Sequence, residues 1–204
     1  MDRKDFIKKG LMGTGMFITS AAVGDVIKND IDEIKELEPL GFNHLPNPES
    51  LIVENTVLHK AATRGHANHG WLDSNHTFSF ANYHNPDRMH FGVLRVLNDD
   101  RVDAGMGFGK HPHDNMEIIS IPLEGDLEHQ DSMGNTAVIK KGDIQVMSAG
   151  TGIYHSEFNK NKDRLTKFLQ IWVYPNKRNV TPRYDQISLD EKDRHNKLQQ
   201  ILSP

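Results

Sequence analysis

The feature that most constrains this chain is its texture between Leu51 and Tyr174, where short alternating or apolar runs are cut repeatedly by turn residues. The runs read as strands over Ser50–His59, His76–Tyr83, Phe91–Asn98, Lys110–His113, Met116–Glu124, Asp126–Asp131, Thr136–Lys140, Asp143–Ser148, Tyr154–Asn159 and Lys167–Tyr174. Turns are expected at Asn98-Asp99-Asp100, Glu124-Gly125-Asp126, Met133-Gly134-Asn135, Lys141-Gly142-Asp143 and Gly150-Thr151-Gly152. Many short strands at regular spacing predict an all-β sandwich or barrel rather than a βαβ fold. Beyond Pro182 the pattern turns helical, with Ser188 as cap, Glu191 three residues on, and a run continuing to Ile201.

The start of the chain has a different character. Met1 to Lys9 is charged, and Gly10 to Gly24 is uncharged and rich in small and apolar residues, the layout of an export signal. Asp2-Arg3-Lys4-Asp5-Phe6-Ile7-Lys8 resembles a twin-arginine signal with Lys4 in place of the second arginine. The expected destination is the periplasm; without a working signal it is the cytoplasm. The apolar stretch is too short for an ordinary membrane span. Ile27, Ile31, Ile34 and Leu37 predict a short amphipathic helix, and Pro46-Asn47-Pro48 marks a linker. The expected organisation is therefore an export-like segment 1–25, a helix and linker 26–50, a β-domain 51–187 and a C-terminal helix 188–204.

The chain of 204 residues has a net charge of -4, which gives no basis for direct nucleic-acid binding, and no membrane association is expected once the signal is removed. It has no cysteine, which excludes disulfides and thiolate chemistry, but it has twelve histidines. A metal here would take nitrogen and oxygen ligands, a set that suits iron, nickel, copper, manganese or zinc.

Two short strings carry such ligands at one spacing. His111-Pro112-His113 and His155-Ser156-Glu157 each place two donors two residues apart, so each pair shares one strand face. Two such strands facing each other supply three nitrogens and one oxygen. An octahedral ion would keep two positions for water, substrate or dioxygen, unlike a closed tetrahedral zinc site. A lone H-x-H is a weak signal, since the pair can equally sit on an exposed strand face. Its combination with a later H-x-E beside glycine-rich turns is far more specific.

Around these pairs run Gly109 to Glu117, then Leu123-Glu124-Gly125, then Gly142-Asp143-Ile144-Gln145-Val146-Met147-Ser148-Ala149-Gly150-Thr151-Gly152-Ile153-Tyr154-His155-Ser156-Glu157. These strings resemble the two cupin motifs and, more narrowly, the pirin family. Trp71 to Ser74, Thr77 to Tyr83, Phe91 to Val96 and Asn98 to Val102 look like the bacterial branch of pirins that has quercetinase activity. The resemblance covers about Val53 to Ser203. It implies a cupin, jelly-roll-like β-barrel with His111, His113, His155 and Glu157 as metal ligands. It implies Fe(II) as the usual ion, with Ni, Cu, Mn, Co or Zn as alternatives. In pirins the carboxylate ligand is that of H-x-E, so Glu157 is the expected ligand and catalytic group. Glu117, read on the inward parity, is expected to hydrogen-bond behind the site. Pirins carry two barrels; this chain ends at Pro204, so the second is expected to be missing, and a homodimer is one way to cover the exposed face.

Two readings of function follow. The first is a dioxygenase of quercetin 2,3-dioxygenase type, with a small aromatic enol and dioxygen as partners and carbon monoxide as a product. The second is a non-catalytic, redox-responsive iron protein that contacts transcription regulators, a role that fits poorly with export. A cupin isomerase or storage protein using the same site is a third. His59, His66, His69, His76, His84 and His90 raise the idea of a second metal site, but their spacings are irregular and the flanks Arg64-Gly65-His66 and Asn68-His69-Gly70 read as loop. Met106, Phe108, Met116 and Met147 read as core or as lining of an aromatic pocket, and Trp172 as part of a core strand.

Overall fold

The computed structural model describes residues 57–196 and 198–202. The export-like segment and the helix and linker expected over 1–50 lie outside the described residues, as does most of the strand expected over Ser50–His59. Its described end, Val57 to His59, is exposed coil. The chain divides into two units, Met1–Thr63 and Arg64–Pro204. The described part of the first contains one tight helical turn, Ala61–Thr63, closed by the Thr63 amide donating to the Lys60 carbonyl at 2.9 Å.

The second unit is built from eleven strands: β1 (Gly65–Asn68), β2 (Leu72–His76), β3 (Leu94–Val102), β4 (Gly107–His113), β5 (Glu117–Glu124), β6 (Asp126–Asp131), β7 (Thr136–Lys140), β8 (Asp143–Ser148), β9 (Ile153–Asn159), β10 (Thr166–Val173) and β11 (Arg183–Ser188). They form a seven-stranded sheet ordered β1-β2-β3-β10-β5-β8-β11 and a four-stranded sheet ordered β4-β9-β6-β7. Every strand pairing is antiparallel. The expected barrel is thus a cupin jelly-roll of two facing sheets, not a continuously hydrogen-bonded cylinder.

Alternation decides which side chains enter the space between the sheets. On β3, Leu94, Val96, Asn98, Asp100 and Val102 are buried while the residues between them are not. One apolar cluster joins Leu72, Val102 and Phe168 of the large sheet to Leu127 and Ile139 of the small one. A second joins Ile118 and Met147 to Ile153, with Ala149. Asn159 ties the sheets at the end of β9, donating from Nδ2 to the Val102 carbonyl at 3.1 Å and accepting at Oδ1 from Thr166 Oγ1 at 2.7 Å. Gly150, at φ +49°, turns the chain between β8 and β9; a side chain there would strike the Val180 carbonyl that accepts from Thr151.

Four expectations are corrected. The turn expected at Asn98-Asp99-Asp100 is strand, because β3 is paired on both sides, by β2 and by β10, and this pairing outweighs the turn preference of its residues. The strand expected over His76–Tyr83 ends at His76. Ser79 instead bonds the Asn85 amide at 2.8 Å, and Phe80 and Tyr83 exchange backbone bonds around Ala81, whose φ is +49°. The stretch read as loop around His66 contains β1, while His69 and Gly70 do form the turn that leads to β2. The C-terminal helix shrinks to α1 (Glu191–Arg194), capped by Asp190 rather than Ser188. Ser188 closes β11, its hydroxyl donating to Asp143.

Candidate metal centre

β4 and β9 pair so that His111 stands directly opposite His155. Between Phe108 and His111 the register slips, with β4 carrying one residue more than β9, a bulge at Gly109 and Lys110. The bulge aims the Gly109 carbonyl at the His111 ring, 2.7 Å from Nδ1. A carbonyl only accepts, so Nδ1 carries the proton and Nε2 keeps its lone pair for a ligand. Gly107 is required below the bulge, since a Cβ there would meet the Glu157 carbonyl and lie 2.5 Å from Phe158 Cα.

His113, two residues along β4, shares the face of His111. Ring centroids are 4.8 Å apart for His111 and His113, 4.4 Å for His111 and His155, and 4.8 Å for His113 and His155. One nitrogen from each ring lies within 4.8 Å of the others, a group able to hold a metal ion. Burial, then the neighbouring His111, hold His113 down to about 4 against the pull of Asp114. Burial, then His111, His113 and His129, hold His155 down to about 2. Both rings are therefore neutral near pH 7, the form that binds metal. His155 is 1% exposed, and neither of its nitrogens has a hydrogen-bond partner. An unpaired buried imidazole is costly, and a metal bond to one nitrogen relieves part of that cost, so the residues present fit an ion.

Glu157 follows on the same face of β9, fully buried. Ser120 Oγ donates to its Oε1 at 2.8 Å and Gln170 Nε2 to its Oε2 at 2.7 Å. Burial raises its carboxyl above the usual range, while Ser120, His129, His111 and Gln170 pull it down. It lies outside the close group of three imidazoles, held from the opposite sheet by β5 and β10. Behind His155, His129 lies 5.4 Å away, bonded through Nε2 to Asp131 at 3.1 Å and stacked on Tyr184 at 4.7 Å.

A cavity of about 500 Å³ opens beside His111, His113 and Glu157. Phe80, Phe108 and Trp172 form apolar walls; Trp172 meets His113 edge-on at 4.9 Å. Trp172 is therefore a pocket residue as well as part of a strand, and Phe108 lines the pocket. Met116 and Met147 pack in the core, and Met106 is exposed. Glu117 is corrected: three residues from Ser120 on one strand, it faces the other side of the large sheet, where Ser148 Oγ donates to it. The turn between His113 and Glu117 resets the parity. Ser120, Gln170, His129 and Tyr184 were not singled out in the sequence; the period-two pattern of β5 and β10 places Ser120 and Gln170 inward, but only the pairing shows that they meet Glu157.

The Pirin family model matches residues 57–173. The chain belongs to the pirin family. It is 57% identical over 133 residues to the quercetin 2,3-dioxygenase of Escherichia coli strain K12, covering 65% of this chain and 58% of that protein. The bacterial pirin YhhW from Escherichia coli, solved in complex with nickel(II), matches with TM-score 0.63 and 56% identity over 64% of this chain and 57% of that one. GK1651 from Geobacillus kaustophilus matches with TM-score 0.52 and 27% identity over 64% of this chain and 50% of that one. The chain thus spans less than two thirds of the length of these relatives.

Proposed function

We propose that this pirin is a metal-dependent dioxygenase of quercetin 2,3-dioxygenase type, acting on a flavonol or a similar aromatic enol. His111, His113, His155 and Glu157 would hold the ion, Fe(II) by preference. The observation that carries the reading is the cavity: an aromatic-walled space of about 500 Å³ onto which two of the three histidines and a buried carboxylate open. Its size suits a small aromatic molecule.

A bound metal supplies Lewis acidity to the substrate oxygens and a template for dioxygen. The chain's own groups do the rest. Phe80, Phe108 and Trp172 accept a flat ring edge-on or stacked and exclude water from it. Glu157, whose carboxylate opens on the cavity, would accept the enol proton as general base. Ser120 and Gln170 fix the carboxylate so that it does not swing away while it exchanges that proton.

The test is turnover of quercetin by the metal-loaded protein under dioxygen. The expected result is loss of flavonol absorbance with one dioxygen consumed and one carbon monoxide released per ring opened. Unchanged absorbance from protein with its full metal content would reject the dioxygenase and leave the redox-responsive binding protein as the better account.

A further inference from the structure

The inward positions of β3 begin and end apolar, at Leu94, Val96 and Val102, but Asn98 and Asp100 stand between them. On β2 the inward residues are Leu72, Ser74 and His76. The register sets His76 opposite Asn98 and Ser74 opposite Asp100. Four polar side chains, each no more than 3% exposed, thus form a floor in what would otherwise be apolar core, and all four line the cavity. Ser74 and Asp100 satisfy one another, the hydroxyl donating to Oδ1. The other pair is left open: His76 Nδ1 and Asn98 Oδ1 are buried with no hydrogen-bond partner. Keeping two such atoms beside a cavity is costly unless something in it binds them.

The floor is joined to the histidine group by aromatic contacts. His76 meets Phe80 edge-on at 5.2 Å, Phe80 meets Trp172 at 5.3 Å, and Trp172 meets His113 at 4.9 Å. A flat molecule lying along this wall with one end at the histidines extends past Trp172 and Phe80 toward His76.

We infer that His76 and Asn98, with the Ser74–Asp100 pair beside them, form a second polar subsite that recognises adjacent hydroxyls on the distal ring of the aromatic substrate. The substrate class rests on the function proposed above. One hydroxyl donates to Asn98 Oδ1, which can only accept, and its neighbour pairs with His76 Nδ1. Nδ1 of His76 donates to or accepts from that hydroxyl according to the tautomer of the ring. A site built around a hydroxyl discriminates strongly against the analogue that lacks it, because its own polar atoms are then left unpaired.

The experiment is calorimetric binding of two flavonols to the full-length, metal-loaded protein without oxygen, so that nothing turns over. Quercetin carries two adjacent hydroxyls on its distal ring; galangin has the same enol and a bare distal ring. Quercetin is expected to bind at least about tenfold tighter. Asn98→Leu should lower quercetin affinity about tenfold and leave galangin affinity unchanged, and His76→Phe should do the same. Equal affinities in the unaltered protein, a comparison that needs no variant to fold, would overturn the subsite, as would binding of neither flavonol. Discrimination in binding together with unchanged quercetin absorbance under oxygen would reject the dioxygenase alone. Turnover of both flavonols with equal affinity would reject the subsite alone.

Discussion

β4 and β9 each carry half of the proposed metal constellation, in opposite surroundings. β4 is the edge of the four-stranded sheet, and its His111 and His113 are only partly buried. β9 lies between β4 and β6, and its His155 and Glu157 are each 1% exposed. An edge strand can bulge and tilt side chains toward a cavity because one of its sides owes no ladder bonds. A central strand cannot, so its side chains are fixed by what packs over them: Ser120 and Gln170 over Glu157, His129 beside His155. The contrast teaches that the partly exposed half is the cheap half to build, and that the cost of unpaired buried polar atoms falls on β9.

The sharpest way to break this pairing is Gly107→Val. A side chain there collides with the β9 backbone at Glu157 and Phe158, and a loss of about 3 kcal/mol is expected in urea unfolding. Next come the histidines themselves, compared after metal is removed with a chelator. His155→Leu, which deletes two unpaired buried nitrogens, should raise stability by about 2 kcal/mol. His111→Leu on the edge strand should change it by less than about 0.5 kcal/mol. If both variants behave alike, the distinction between edge and centre fails.

Acid sharpens the same contrast. His155 is held down to about 2 in the fold, far below its ordinary value. Below pH 6.5 the unfolded chain therefore binds a proton there that the native chain does not, and stability falls as pH drops through that window. His155→Leu abolishes this slope, so its advantage over the unaltered metal-free protein should widen between pH 7 and pH 5 by at most about 2 kcal/mol. A constant difference in unfolding free energy across that range would show that His155 titrates normally. The smallest effect belongs to Gly109→Ala: nothing lies within 4 Å of the added methyl, so stability should hold within about 0.5 kcal/mol even though the bulge carbonyl orients His111.

Much of this architecture could be read from the chain. β6, β7 and β8 occupy the predicted spans, because each is bounded by a glycine or acidic turn. The spacing of His111 with His113 and of His155 with Glu157 places each pair on one face of a strand, and β4 and β9 do pair. The remainder depends on pairing. The bulge at Gly109 and Lys110 exists only relative to β9. Asn98 and Asp100 carry turn-forming side chains, and only their placement between β2 and β10 turns them into the floor of a cavity. β11 falls where the pattern beyond Pro182 reads as helical, because Arg183, Tyr184, Asp185 and Gln186 offer no apolar alternation on an edge strand. Glu117 was misplaced because counting by twos does not survive a turn.

Metal stoichiometry tests the central claim most directly. Elemental analysis after equilibrium dialysis should find one divalent ion per unaltered chain and essentially none in a folded His111→Ala/His155→Ala double variant. A double variant that keeps its ion, or an unaltered protein that binds none of the offered metals, would contradict convergence of these three rings on one centre.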